Sequence, residues 1–317
     1  MNTPVIPDAS LPTRVDQAVR QVMDELETLR QEKLQVWRRR WIPGAIVIIG
    51  AALLLSEIMS EPALGGHSPV LFLLFCAGIW YWCDWPRRQF RDRFREQVFP
   101  RVARVVGNLD YHPHGTWSEK DLAGTGLMPP YNDLSSQDHF TGEYRGVSLH
   151  LSEALLEMKG NKSKYTVFDG IFIGMTLPRP VPGKTLVTKD YGALANTLIG
   201  FGRWSLDRVT LEDPRFEDKF EVYGTDQVAA RRFLTPALME RLMALPEHFR
   251  SPSLALSVQD STLFMTVPHP RGNRKISGLY KLSLRKPLDT APVLQLAAEL
   301  KAVLDVIDIL KVGEVIR

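Results

Sequence analysis

Residues 42–58 read IPGAIVIIGAALLLSEI, and residues 69–85 read PVLFLLFCAGIWYWCDW. Each segment has about 17 residues, the lower limit for an α-helix that crosses a hydrocarbon core of about 30 Å. The segments contain no Lys or Arg, and their two carboxylates, Glu57 and Asp84, lie near the segment ends. Because only the short stretch 59–68 separates them, the sequence predicts a transmembrane helical hairpin over residues 41–85.

Positive charge is concentrated on the outer sides of this hairpin. Three consecutive arginines precede it, seven more follow it between residues 87 and 104, and the stretch 59–68 has neither Lys nor Arg. By the positive-inside rule both termini are cytoplasmic, which predicts a multi-pass membrane protein. The arginines nearest the hairpin attract anionic lipid headgroups. The candidate membrane-surface contacts are Arg38, Arg39, Arg40, Arg87, Arg88 and Arg91.

The alternative is that both segments are core helices of a soluble protein, in which apolar helices of this length also occur. The aromatic side chains near the segment ends argue against it, because amphipathic rings beside arginine favour the headgroup layer of a membrane. These aromatics are Trp37, Trp41, Trp80, Tyr81, Trp82 and Trp85. A cleavable signal peptide is not expected, since about 40 mostly polar residues precede the first segment.

Composition limits the classes of function. The chain has 317 residues and a net charge of +3, and residues 106–317 carry 25 basic and 25 acidic side chains. A neutral cytosolic part argues against nucleic acid as a partner, because phosphate binding requires a basic surface. The two cysteines, Cys76 and Cys83, both lie in the second apolar segment, so no disulfide framework or cysteine metal site is expected in a cytosolic domain.

The cytosolic segment 1–40 is predicted to hold a loose tail and an amphipathic helix from about Thr13 to Arg40. Its apolar residues recur at intervals of four and three, the spacing of one helix face. We name this face the N-terminal seam; it consists of Val15, Val19, Val22, Leu26 and Leu29. The seam either binds a second copy or another protein, as in a coiled coil, or packs on the protein's own cytosolic domain.

After the hairpin, residues 86–109 are predicted to form a basic juxtamembrane helix that Pro86 and Pro100 kink or interrupt. Residues 107–139 are rich in Gly, Pro, His, Asn and Asp, which predicts a long loop. Residues 110–317 form the predicted cytosolic domain, a mixed, mainly antiparallel sheet with packed helices, so the fold class is α+β. Its strands are expected at 147–151, 165–168, 171–175, 185–188, 209–211 and 220–223, with a hairpin over 254–267.

Helices are expected at two places in this domain. One runs from about Asp226 to Leu245, with Asp226 at its start and a restart at Thr235 and Pro236. The other closes the chain, where apolar residues again recur at intervals of four and three.

Candidate chemical groups are few. His112 and His114, with His139 and His150, have the residue type but not the spacing of a metal site, so polar loop histidines are the favoured interpretation. Pro182-Gly183-Lys184-Thr185 lacks the upstream glycine of a phosphate-binding loop, and a turn before a strand explains it better. We find no catalytic constellation, and predict no catalytic residue, cofactor or metal.

The segment from Leu206 to Leu242, LDRVTLEDPRFEDKFEVYGTDQVAARRFLTPALMERL, resembles a bacterial two-span inner-membrane family catalogued only as a domain of unknown function. The segment FTGEYRGV, residues 140–147, adds to the resemblance. Members of that family have an N-terminal helix, two close spans and a cytosolic α+β domain, which implies the same layout here. The family brings no established activity. We therefore expect a non-enzymatic, membrane-anchored interaction or scaffold module, with a membrane-held lipid or small-ligand binding domain as the alternative.

Overall fold

The computed structural model describes residues 10–59, 68–114, 117–128, 130–160, 163–189, 206–249, 251, 254–269 and 284–310. The chain folds into two compact units. The helical unit comprises Asp16–Phe99 and Leu279–Thr290, and the sheet unit comprises Met1–Val15, Pro100–Gly278 and Ala291–Arg317.

Two long helices dominate the helical unit. Helix α1 spans Leu11–Met59 and α2 spans Ser68–Gly107, so Pro43, Pro86 and Pro100 all lie within continuous helix. The prediction that Pro86 or Pro100 interrupts the second helix is wrong, since α2 is continuous through both prolines. Lys33 of α1 contacts Gln89 of α2, and seven residues later Arg40 of α1 contacts Trp82 of α2. The two helices therefore pack antiparallel. Among the described helices, none combines the length and the apolar character needed to cross a bilayer.

The sheet unit is built on antiparallel strand pairs. Within the described residues its seven strands form one sheet in the order β1-β2-β3-β4-β6-β5, and β7 also pairs with β4. All of these pairs are antiparallel. The strands are β1 Asp110–His114, β2 Asp133–Tyr144, β3 Val147–Lys159, β4 Lys164–Lys189, β5 Asp207–Arg208, β6 Phe220–Gly224 and β7 Ala255–Pro268.

Strand β4 organises this sheet because it uses both of its edges. Its residues 164–175 pair with β3 and its residues 185–189 pair with β6, so β3 and β6 follow one another along one edge. Strand β7 pairs along the other edge, from Gly170 to Val187. The expected separate strands at 165–175 and 185–188 are therefore parts of a single strand, and the expected hairpin over 254–267 is wrong: both halves belong to β7.

Short helices complete the sheet unit: α3 Glu119–Thr125, α4 Pro214–Glu217, α5 Gln227–Phe233, α6 Pro236–His248 and α7 Ala291–Leu310. The Asp226 carboxylate accepts hydrogen bonds from the backbone N–H groups of Val228 and Ala229, at 2.9 and 3.0 Å. The Thr235 hydroxyl likewise caps α6, with Pro236 in its first turn. These two caps confirm the predicted helix start and restart, since Asp and Thr satisfy orphan amide donors there.

The predicted loop at 107–139 is the clearest error. It contains β1, α3 and the first half of β2. Leu122 within this range and Phe140 directly after it are fully buried. Polar and turn-forming residues misled the prediction because β1 is an edge strand, four of whose five residues face solvent. The α+β class and the mainly antiparallel sheet with packed helices are confirmed.

Candidate functional site

The first candidate site is the apolar surface of the two long helices. Sixteen large apolar or aromatic side chains are exposed in the described residues, and fourteen of them lie between residues 41 and 85. Ile46, Ile49 and Leu73 are 64%, 60% and 66% exposed. Apolar patches of this kind mark surfaces that contact a membrane or another protein.

Close helix packing leaves these side chains on the outside. Gly44 faces the second helix, where a Cβ atom at this position would lie 2.8 Å from the Cys83 sulfur. The Cys83 thiol donates to the Arg40 carbonyl oxygen at 3.5 Å. Small residues at the contact thus let the backbones approach, a feature of helix pairs in membranes.

Arginine and aromatic side chains form a collar at one end of the apolar surface. The Arg40 guanidinium lies 4.8 Å from the Trp82 ring centroid and donates to the Trp82 carbonyl oxygen at 3.0 Å. The Arg88 guanidinium lies 4.5 Å from the Tyr81 ring centroid. Asp84, the carboxylate near the end of the second apolar segment, pairs with Arg88 at 3.5 Å. The collar therefore joins arginine and aromatic side chains through cation–π contacts at one end of the apolar surface.

The six predicted membrane-surface arginines are not equally accessible. Arg38, Arg39 and Arg87 are exposed, whereas Arg40, Arg88 and Arg91 are half-buried. The half-buried members use part of their surface for protein contacts, so the exposed three are the better candidates for direct contact with headgroups.

The N-terminal seam is buried within the single chain. Val15, Val19, Val22 and Leu26 are at most 5% exposed, and Leu29 is half-buried. Residues of the same chain therefore cover these four side chains. A partner could contact these four side chains only after they had left their present neighbours.

The second candidate site is a cluster of carboxylates and one imidazole in the sheet unit. Glu153 lies on β3, Asp169 on β4, and His269 directly follows β7. One ligand atom from each of the three lies within 4.8 Å of the other two. The His269 Nε2 atom is 3.7 Å from Glu153 Oε1.

Strand register places these groups together. Glu153 pairs with Ile171 and Leu155 pairs with Asp169, so Glu153 and Asp169 point to the same sheet face. The His269 N–H donates to the Asp169 carbonyl oxygen at 2.9 Å, which extends the pairing of β7 by one residue. Gly170 permits this approach, because a Cβ atom there would lie 2.3 Å from the Val267 carbonyl oxygen.

Helix α7 adds a third carboxylate. One oxygen of Glu299 accepts a hydrogen bond from Gln295 at 2.8 Å, and the other is buried without a hydrogen-bond partner in the described residues. Burial raises the pKa of Glu299 to about 7; the Gln295 hydrogen bond and His269 oppose this shift, and the charge of Glu153 adds to it. We call Glu153, Asp169, His269 and Glu299 the carboxylate–histidine cluster.

The predicted group of polar loop histidines lies instead on strands. His112 pairs with His139 across β1 and β2, and their ring centroids are 6.4 Å apart. The His139 and His150 centroids are 5.9 Å apart, and Trp117 contacts both rings. Burial, then the charges of His150 and His112, lower the pKa of His139 to about 4. In the described part of the chain these rings do not form a group with ligand atoms within 4.8 Å.

The segment 182–185 lies inside β4, at an irregularity in its pairing with β7. The Lys184 ammonium donates to the Gly124 carbonyl oxygen at 2.7 Å, a protein contact that occupies the side chain a phosphate would need. The segment is part of a continuous strand, and the expected turn before a separate strand is replaced by this irregularity.

Sequence reasoning missed the carboxylate–histidine cluster. Its members come from two strands, the residue after a third strand and a helix, and Glu153 and Glu299 are 146 positions apart. No short spacing links them, so no motif could have found them. The signals available were a Glu in the otherwise apolar alternation of β3 and an Asp before the apolar residues Ile171 and Ile173, both of which need strand pairing to be interpreted.

Comparison with known proteins gives a family match for part of the chain. A family model described as "Protein of unknown function (DUF3137)" matches residues 166–312, from β4 beyond the end of α7. This match confirms that the chain contains a domain of unknown function, as the sequence resemblance implied. No curated protein matches the chain. Among solved structures, the crystal structure of the mycobacterial trehalose monomycolate transport factor A, TtfA, is similar with a TM-score of 0.32 and 11% identity, covering 69% of this chain and 95% of that chain.

Proposed function

We propose that this protein is a membrane-anchored interaction or scaffold module. Residues 41–85 insert into a bacterial inner membrane as a helical hairpin, both termini are cytoplasmic, and the sheet unit is held in the cytosol. The observation that carries the proposal is the concentration of exposed apolar side chains between residues 41 and 85. In water such a surface costs free energy in proportion to its area, about 25 cal/mol per Å².

The collar supports the orientation. Arg40 in α1 and Arg88 in α2 contact aromatic rings at the positions where the chain enters and leaves the apolar surface. Cations at this level interact with anionic lipids on the cytoplasmic side, each worth about 1 kcal/mol. The pairing of Asp84 with Arg88 lowers the cost of a carboxylate close to the bilayer.

Two surface pockets of the helical unit have volumes of about 280 and 200 Å³. The larger one is lined by charged side chains such as Asp16, Arg20 and Glu27, and the smaller one is an apolar groove between the hairpin helices. Pockets for drug-sized ligands have about 300–1,000 Å³ and are mostly apolar.

Cysteine labelling in cells tests the anchored topology. In a background with Cys76 and Cys83 replaced by serine, a Gly66→Cys variant should react with a membrane-impermeant maleimide added to cells whose outer membrane has been permeabilised. An Asp260→Cys variant should react only after the inner membrane is lysed, because the sheet unit is cytoplasmic.

Labelling of Asp260→Cys in intact inner-membrane vesicles of right-side-out orientation would overturn the topology. Release of the protein from membranes by alkaline carbonate would overturn insertion itself. Equal labelling of both variants after lysis is the control that both cysteines are reactive.

A further inference from the structure

The carboxylate–histidine cluster contains polar atoms that the protein leaves unsatisfied. The Glu153 side chain is 5% exposed, and its Oε1 atom lies 3.7 Å from His269 Nε2, beyond hydrogen-bonding distance. His269 Nε2 and Glu299 Oε2 are buried and make no hydrogen bond with the described residues. Buried polar groups are nearly always satisfied, so two unsatisfied atoms in one place indicate a missing partner.

The charge of that partner follows from the cluster itself. Glu153, Asp169 and Glu299 supply three carboxylates, and in the described residues no Lys or Arg forms an ion pair with Glu153 or Glu299. An ionised carboxylate in a buried site is costly unless it is paired or bound to a metal. A cation bound at this place would pair with the Glu153 and Glu299 carboxylates.

The geometry also suits a metal ion. Ligand atoms at about 2.1 Å from a common ion lie at most about 4.2 Å apart. The ligand atoms of Glu153, Asp169 and His269 lie within 4.8 Å of one another, so only a small inward movement of the side chains is required. The 3.7 Å separation of His269 Nε2 and Glu153 Oε1 already lies in the required range.

The ligand types select the class of ion. Imidazole nitrogen suits zinc, iron, nickel and copper, whereas magnesium and calcium prefer oxygen ligands alone. One imidazole with two or three carboxylates is therefore a nitrogen and oxygen donor set for a divalent transition metal.

We propose that Glu153, Asp169 and His269 bind a divalent first-row transition-metal ion, with Glu299 beside them as a further carboxylate. The ion links β3, β4 and the end of β7 to helix α7. Three protein ligands leave at least one coordination position, which water or Glu299 fills.

Zinc binding to the full-length protein tests this proposal, with ZnCl₂ as the probe. Protein purified in a non-ionic detergent, stripped with a chelator and dialysed, should bind one Zn²⁺ per chain with a Kd of about 1 µM or lower, measured by competition with a chromophoric chelator. Zn²⁺ should raise the melting temperature, because an ion that binds only the folded state stabilises it. Mg²⁺ at the same concentration should do neither.

Two variants locate the ion. Glu153→Gln and His269→Ala should each weaken Zn²⁺ binding at least about tenfold, the scale of loss seen even for residues behind the ligands. Glu221→Gln is the matched control for the first variant: this glutamate is also on the sheet and 7% exposed, but its carboxylate accepts a hydrogen bond from Tyr223 at 2.9 Å. It should lower stability without changing the affinity for Zn²⁺.

The histidine group around His139 is the competing site. His150→Ala should leave Zn²⁺ binding unchanged; loss of binding in His150→Ala but not in His269→Ala would overturn the proposal. A purely structural role for the cluster would change the melting temperature of the metal-free variants but not the additional rise caused by Zn²⁺.

A measurement on the unmodified protein covers the case in which the variants do not fold. X-ray absorption at the zinc edge should show one imidazole and a majority of oxygen ligands. Two or more imidazoles, or absence of stoichiometric Zn²⁺ after dialysis against micromolar ZnCl₂, would contradict the assignment.

Discussion

Aspartate in place of Ile49 distinguishes an apolar surface buried in lipid from one that faces water. Ile49 lies near the middle of the segment 42–58 and is 60% exposed in the isolated chain. Val228, in the first turn of α5 on the sheet unit, is 63% exposed and provides a matched control. The two positions have nearly the same exposure, so they differ only in the medium that the proposal assigns to them.

The expected magnitudes differ widely. At the centre of a membrane helix, exchange of isoleucine for aspartate costs about 3–4 kcal/mol on insertion scales, a factor of several hundred in the insertion equilibrium. At an exposed position in water the same type of change is worth about 0.5 kcal/mol or less. Isoleucine, valine and aspartate have similar helix propensities, so propensity contributes little to either change.

The assay is the fraction of protein that resists alkaline carbonate extraction from cell membranes, measured by immunoblotting of the full-length chain. Ile49→Asp should lower this fraction severalfold or more and increase degradation, whereas Val228→Asp should match the unmodified protein. Ile49→Leu should also match it, which separates charge from a change of side-chain shape. If Ile49→Asp resists carbonate extraction to the same extent as Val228→Asp, the hairpin is not embedded and the anchoring proposal fails.

Three further predictions concern packing and protonation. Val22→Glu combined with Leu26→Glu places two charges at seam positions that are at most 5% exposed, so the double variant should have a lower melting temperature. If the seam instead binds a partner, the double variant should lose crosslinking to that partner and keep its melting temperature. The hydrogen bond with Arg30 is the main reason that the pKa of Glu27 is lowered from 4.5 to about 2. The ionised carboxylate therefore contributes stability that is complete above pH 4.5 and is lost as the pH falls towards 2. Glu27→Gln should make the melting temperature less dependent on pH across that range. Gly170→Ala should destabilise the protein by about 1–3 kcal/mol in thermal unfolding because its Cβ would collide with backbone, whereas Gly124→Ala, where nothing lies within 4 Å, should not.

Local chemistry was predictable from sequence where it acts over a few residues. The caps at Asp226 and Thr235 follow from short side chains that bond to backbone amides two or three residues away, and both are present. The final helix follows from apolar spacing along one face, and residues 291–310 confirm it. These features need no knowledge of the rest of the chain.

Features that depend on distant partners were not predictable. The turn-forming residues before Phe140 predict a loop when taken alone, yet pairing with β2 makes β1 a strand. Strand β4 pairs with β3, β6 and β7 along different parts of its length, and β6 and β7 lie far from it in sequence. Local sequence alone therefore does not predict how long β4 is. The carboxylate–histidine cluster depends on the same pairings, since register alone brings Glu153, Asp169 and His269 together.

The position of β7 in the chain has a consequence for synthesis on the ribosome. Strands β1, β2 and β3 each pair with the next strand in sequence, so β1 to β4 can form a sheet as the nascent chain emerges. Strand β7 begins at Ala255, and residues 190–254 must be made before it can cover the second edge of β4. Until then β4 presents free backbone donors and acceptors along that edge, a template for wrong pairing between neighbouring nascent chains. Truncations that end before Ala255 should therefore aggregate rather than yield a smaller folded domain.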